Sequence, residues 1–551
     1  MIRIAKNWIK ENIVLSAILA ICTGYAVFYL VSVIRWVPYP NQIDYGEGLI
    51  MYINNMWATG TWKWDMSIPP YLPLIYGITT PLLFVPLIKL FGAGLWVGRT
   101  VMVISTLITC WLLYLVAKRI TGKKTYGIIA GLLPFTHPVI RDWSLMARVD
   151  MLAVMLSFVG FYIVLRCKGS KWIYLSVIPF SMALQTKISI AVGIGATLIY
   201  LSIYKRNILC KYICLLVFVI ATPFTILGII TQGQYFDHIM LYNATVSAFW
   251  NLATMVTNIS IVLLPMIAIS IAALALAVKM FRKKHRTELK MLVTLFFVIA
   301  LGTNFFFALR PGGFVNYYLE FIFGACLCTA IVLPSIIEKA EIEFKASGKV
   351  FASGLLIMLL IANFSAISYK HAFPFPNEKY TEEVKVATEI IKDTDKPIVT
   401  ENFGLVTNAG KDIVCEHFIS TNAAALGTWD DTNYVNNFRT QYYDYIILRV
   451  PTYKRINGDW HFKKEIIDLI DENYTLIYEP IENFYWYGIC IYKSNNMLTD
   501  KDIQEAVVRE REGGESLFDF TSKLPNTDVP GAERQDNFWL KVSRFFSGIF
   551  Q

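Results

Sequence analysis

Two carboxylates stand three positions apart just after the first long apolar run, in Gln42-Ile43-Asp44-Tyr45-Gly46-Glu47-Gly48. At the start of a helix this spacing turns both side chains toward one pocket. There a carboxylate can take a proton from a hydroxyl, and a pair can hold a divalent cation. Asp44 also suits the N-cap of a helix that begins near Glu47 and runs through Met56. Two cations follow at comparable places. Arg99 opens a later apolar run, at a depth where a guanidinium meets a lipid phosphate. Arg148 precedes Asp150, which opens another run, where an acidic residue is costly to seat without a purpose; the same two residues also read as a surface ion pair. A third polar group lies in Arg310-Pro311-Gly312-Gly313-Phe314-Val315-Asn316-Tyr317-Tyr318-Leu319-Glu320, whose glycine pair permits close backbone approach.

The segments that must position these residues belong in a bilayer. The 551-residue chain is 55% hydrophobic and 17% charged, with mean hydropathy +0.48, whereas soluble domains carry about 25% charged residues. Apolar runs long enough to span lie at about 13–34, 96–117, 125–141, 147–165, 172–187, 188–204, 212–231, 256–278, 291–309, 316–337 and 350–369. A further run, 71–91, follows Pro69-Pro70 and is broken by Pro73, Pro81 and Pro86. Charge decides its place. If 71–91 does not cross, the clusters Arg3/Lys6/Lys10, Lys118/Arg119/Lys123/Lys124, Arg166/Lys168/Lys171, Lys205/Arg206/Lys211, Lys279/Arg282/Lys283/Lys284/Arg286 and Lys339/Lys345/Lys349 share one side. The other side keeps only isolated cations such as Arg35, Lys63 and Lys187. The positive-inside rule therefore predicts eleven spans, a cytoplasmic N-terminus, and a long first external loop over about 35–95 with 71–91 at the outer interface. The net charge of +9 is spent on this topology, so nucleic acid is not a partner. The first apolar run reads as an uncleaved anchor.

Beyond Pro374 the composition turns polar. Pro397-Ile398-Val399-Thr400 and Tyr445-Ile446-Ile447-Leu448 predict buried strands, and Lys463–Glu472 a helix. A small external α/β domain over 374–495 follows from 1–370, and a polar tail, 496–551, ends in an amphipathic helix suited to a membrane surface. The nine cysteines show no CxxC pair or Cys/His spacing, which argues against zinc. Cys415 and Cys490 are open to pairing or to remaining thiols.

One ordered set carries a family resemblance: the acidic first loop, then Trp57-Ala58-Thr59-Gly60-Thr61-Trp62, then Pro69-Pro70-Tyr71-Leu72-Pro73-Leu74, then Arg99 at the head of the second span. Over roughly residues 10–340 this resembles the GT-C superfamily of membrane glycosyltransferases, with the protein O-mannosyltransferases and aminoarabinose transferases among its members. The resemblance implies a polytopic α-helical protein that moves a sugar, with inversion, from a polyprenyl-phosphate-linked donor to a glycan, lipid or protein acceptor outside a bacterial inner membrane. It implies a first-loop carboxylate as base. Here the acidic pair is split instead of adjacent, which leaves the base open between Asp44 and Glu47, with Asp44 in the motif's first position. Arg99 and Arg310 would bind the donor phosphate, and Tyr71, Arg148, Asp150, Asn316 and Glu320 the substrates. The relatives imply no required metal or other cofactor, although Mg²⁺ or Mn²⁺ suits paired carboxylates. A flippase, or a polymerase or ligase of lipid-linked saccharides, is the competing class. Half-repeats and midplane broken helices, which mark transporters, are not visible in the sequence.

Overall fold

A computed structural model describes residues 12–242, 288–309, 313–335, 337, 378–455, 461–479 and 488–499. Among these, six helices are long and apolar enough to cross a membrane: Leu15–Trp36, Leu95–Thr121, Asp150–Cys167, Arg206–Ile230, Glu288–Ala308 and Val315–Ser335. Each coincides with a run anticipated from hydropathy. The run at 125–141 is folded as a broken rod, with helices Lys124–Leu132 and Pro138–Ser144 flanking a 3-10 turn over Leu133–Thr136. Pro134 and Pro138 account for the break, since neither supplies a backbone N–H. The runs at 256–278 and 350–369 and most of the tail lie outside the described residues.

Within 71–91 the chain forms one helix, Thr79–Phe91, of 13 residues. That is about 20 Å of helix, against ~30 Å of hydrocarbon. Before it lies the loop helix Tyr45–Thr59, capped by Asp44, whose side chain accepts from the Gly46 amide, and closed by Gly60 at φ 75°. The positive φ is what glycine at a helix end supplies.

The C-terminal part carries a four-stranded sheet, β1 (Val399–Thr400), β2 (Tyr445–Leu448), β3 (Tyr474–Tyr478) and β4 (Cys490–Ser494), in the order β1-β2-β4-β3. β1 and β2 are parallel, and the other pairs are antiparallel. Both strands anticipated from sequence are present, and the helix Lys464–Asn473 falls where one was expected. Cys415 and Cys490 are buried free thiols.

The first loop and this sheet domain are built into each other. Tyr71 donates its amide to the Val414 carbonyl at 2.8 Å and bridges Cys415. Trp429 Nε1 donates to the Met66 carbonyl at 2.8 Å. The Gly404 amide donates to Gln42 Oε1 at 2.7 Å, and the Tyr52 hydroxyl to Asp412 at 3.0 Å. Gly48 is where the two backbones touch: a Cβ there would lie 2.2 Å from the Gly404 nitrogen.

Candidate active site

The two acidic residues of the first loop occupy different environments. Glu47 is fully buried, and so is Arg99. Arg99 Nε donates to Glu47 Oε1 and Nη2 to Oε2, each at 2.9 Å. The remaining Arg99 donors reach the carbonyls of Trp36 (2.9 Å), Tyr39 (2.5 Å) and Asn41 (2.7 Å). Glu47 also accepts from the amides of Ala147 at 2.6 Å and Ile43 at 2.5 Å. A guanidinium has five N–H donors and a carboxylate about four acceptor positions; both sets are filled. The sequence expectation that Arg99 meets a donor phosphate, and that Glu47 offers a free carboxylate, is corrected on that ground. This pair instead ties the head of the second span to the backbone leading into the loop helix and to Ala147.

Asp44 is the accessible carboxylate. Its side chain is 24% exposed and pairs with Arg148 Nη1 at 2.9 Å, while Oδ1 accepts from the Gly46 amide at 3.0 Å. The capping role is therefore real, and it leaves the carboxylate at the surface of the site. Gly46 seats the guanidinium, because a Cβ there would lie 1.5 Å from Arg148 Nη1. Gly46→Ala must push the flexible end of Arg148 aside. We expect such a misplacement to lower turnover roughly 10–100-fold with little change in thermal unfolding in detergent.

A second charged pair adjoins the first. Asp150 Oδ1 accepts from Lys187 Nζ at 2.5 Å and from Asn316 Nδ2 at 2.8 Å. Lys187 Nζ also lies 4.3 Å from the centroid of the Tyr317 ring. Arg148 interacts electrostatically with both Asp44 and Asp150, and Tyr76 with Arg148, Asp150 and Lys187. Three buried polar atoms in this cluster have no hydrogen-bond partner among the described residues: Asp150 Oδ2, Asn316 Oδ1 and Arg148 Nε. Buried polar atoms are seldom left so, and one donor beside two acceptors suits a hydroxylated, anionic ligand.

The anticipated residues divide accordingly. Asp44, Arg148, Asp150 and Asn316 are gathered together. Tyr71 is 2% exposed and packs on Trp429 and Tyr434, with ring centroids 5.3 Å and 5.9 Å away; it belongs to the core of the sheet domain, which corrects its placement as a substrate contact. Glu320 is fully buried, about one turn beyond Asn316; its Oε1 accepts from Ser157 Oγ at 2.7 Å and its Oε2 has no hydrogen-bond partner among the described residues. Arg310 lies outside the described residues. Lys187 and Tyr76 were not anticipated; the only signal for Lys187 was its isolation among cations at the membrane end of a span. Among the described residues no three His, Cys, Asp or Glu side chains are grouped as metal ligands would be.

The sheet domain reaches the same place. Tyr45, next to Asp44, donates its hydroxyl to Glu416 Oε1 at 2.7 Å. Glu416 Oε2 accepts from the Ile419 amide at 2.6 Å and caps the helix His417–Ala425. Burial pushes the Glu416 carboxyl up to about 7 from 4.5. The native state then holds a proton that the unfolded chain has released between about 4.5 and 7, so stability falls as pH rises through that window. Relative to Glu416→Gln, the wild type is expected to lose thermal stability, on the order of 1–3 kcal/mol, between pH 5 and pH 8.

Residues 78–228 match the family of dolichyl-phosphate-mannose-protein mannosyltransferases. The whole fold is similar to ArnT from Cupriavidus metallidurans bound to undecaprenyl phosphate, with a TM-score of 0.56 and 12% identity, covering 88% of this chain and 99% of that one. For ArnT in the apo state the values are 0.54 and 12%, over 85% and 98%. The apo oligosaccharyltransferase of Archaeoglobus fulgidus gives 0.53 and 11%, over 87% and 74%. No curated protein sequence matches the chain. The chain is a polytopic membrane protein with the GT-C fold and a C-terminal α/β region.

Proposed function

We propose that this chain is an inverting glycosyltransferase that moves a sugar from a polyprenyl-phosphate donor to an acceptor hydroxyl at the external face of a bacterial inner membrane. The observation that carries this reading is the juxtaposition of a partly exposed carboxylate, Asp44, with the Arg148 guanidinium and the Lys187–Asp150–Asn316 cluster. The acceptor oxygen attacks C1 of the donor sugar. The C1–O bond to phosphate breaks, its electron pair leaves on the phosphate oxygen, and Asp44 takes the acceptor proton. Arg148 and Lys187 face the phosphate and stabilise the charge that grows on it. Asp150 Oδ2 and Asn316 Oδ1 accept from hydroxyls of the bound sugar. Asp44 is the base and Glu47 a positioning residue. No step is routed through a metal.

The polyprenyl-phosphate donor draws support from the match to a dolichyl-phosphate-mannose-dependent family over 78–228 and from the ArnT structure that holds undecaprenyl phosphate. The test uses the full-length protein in lipid nanodiscs with polyprenyl-phosphate sugars carrying a radiolabel in the sugar. Labelled sugar should pass to an acceptor, or slowly to water, with release of polyprenyl phosphate in equal amount. Movement of intact donor across the bilayer without cleavage of the sugar–phosphate bond would replace this reading with a flippase.

A further inference from the structure

Beside Tyr45 the sheet domain carries a charged cluster that the proposed transfer does not use. Its centre is Glu401, fully buried, which accepts from Arg455 Nη2 and from the Arg449 amide at 2.7 Å. Arg449 Nη2 adds a long contact of 3.4 Å to Glu401 Oε1 and lies 3.1 Å from His461 Nε2. His461 is 3.2 Å from Glu401. Burial holds the histidine well below its ordinary range, so at neutral pH it adds no charge. Glu401 thus meets two guanidiniums.

The two arginines are not equivalent. Arg455 is 2% exposed and directs Nη2 at Glu401. Arg449 is 17% exposed, and its Nε is buried without a hydrogen-bond partner among the described residues. A buried, unpartnered N–H on a cation is costly. The spare donor falls on the more exposed of the two side chains, and a carboxylate or phosphate fits a guanidinium fork through two parallel hydrogen bonds.

The position of Arg449 gives this its meaning. The guanidinium lies 5.7 Å from the centroid of the Tyr45 ring. Tyr45 is the residue after Asp44 and before Gly46, over which Arg148 is seated. The loop residue beside Arg449 is thus the chain neighbour of the proposed base. We propose that the seam between Tyr45 and the sheet domain is an acceptor subsite: Arg449 binds an anionic group of the acceptor, carboxylate or phosphate, and holds a neighbouring hydroxyl toward Asp44. This deepens the transferase reading above and rests on it for the word acceptor; the anion site itself stands on its own geometry.

The test is inorganic phosphate binding to the full-length protein in nanodiscs, followed by thermophoresis. An Arg148→Gln background removes the guanidinium that pairs with Asp44. Saturable phosphate binding is expected there, weakened roughly tenfold or more by Arg449→Gln. Arg449→Lys keeps the charge beside Glu401 but lacks the fork; it should weaken binding severalfold and decides the matter if the glutamine variant does not fold. Absence of saturable binding, or equal affinity in the Arg449 variants, overturns the site. Displacement of the phosphate by polyprenyl phosphate would assign Arg449 to the donor and overturn the acceptor role, whereas persistence of bound phosphate supports it. Because binding is read without turnover, a failure of the transferase reading would show in the sugar-release assay and leave this measurement intact.

Discussion

Asp44→Asn is expected to lower sugar transfer about 10²–10⁴-fold while leaving donor binding and the amount of folded protein nearly unchanged. Asparagine is as good an N-cap as aspartate, so the bond from the Gly46 amide survives and the loop helix keeps its start. The ion pair to Arg148 is lost, but its partners are 24% and 20% exposed, and pairs of that kind are worth about 0–1 kcal/mol. The substitution therefore separates the two roles that Asp44 holds. If capping were its whole contribution, Asn would be nearly silent and Ala would be harmful. If it takes the acceptor proton, Asn abolishes turnover, because an amide cannot serve as that base. The measurement is kcat and KM for transfer in nanodiscs, beside thermal unfolding of the same sample. A drop confined to KM, or retained turnover, would remove Asp44 from the chemistry.

The sequence carried the neighbourhood better than the assignments within it. Local signals and the resemblance singled out Asp44, Arg148, Asp150 and Asn316, and the fold brings these four together. Which of Asp44 and Glu47 is buried was not legible, because it depends on Arg99 reaching back from the second span to Glu47 and to the Trp36, Tyr39 and Asn41 carbonyls. Nothing in the spacing of two carboxylates says which one meets that guanidinium. The resemblance implies Tyr71 as a substrate contact, yet its ring partners are Trp429 and Tyr434. The same holds for the whole seam: Gln42 and Gly404 are joined across 362 positions, and no local pattern reports such a contact. Strands were legible because Tyr445–Leu448 is a continuous buried run. The contact of the sheet domain with the loop was hidden because Tyr45, Glu416 and Arg449 each look ordinary until they are placed side by side.

Glu47 offers the largest expected effect on stability. Glu47→Gln replaces one carboxylate oxygen with an amide group that donates, facing either Arg99 Nε and the Ala147 amide or Arg99 Nη2 and the Ile43 amide, all of which are donors themselves. Arg99 would then be a fully buried cation without a counter-charge. Removing one partner of such a pair costs about 3–5 kcal/mol, enough to deplete the folded protein when total stability is of the order of 5–15 kcal/mol. Arg99→Met should cost a similar amount, since it strands the carboxylate instead. Combining Glu47→Gln with Arg99→Met should cost clearly less than the two added together, because the second change removes the charge that the first left unpaired. Thermal unfolding of the three variants in detergent checks this. The outcome that decides between the two acidic residues is a Glu47→Gln protein as stable as the wild type but inactive in transfer. That result would move Glu47 from scaffold to chemistry and would return the question of the base to the pair.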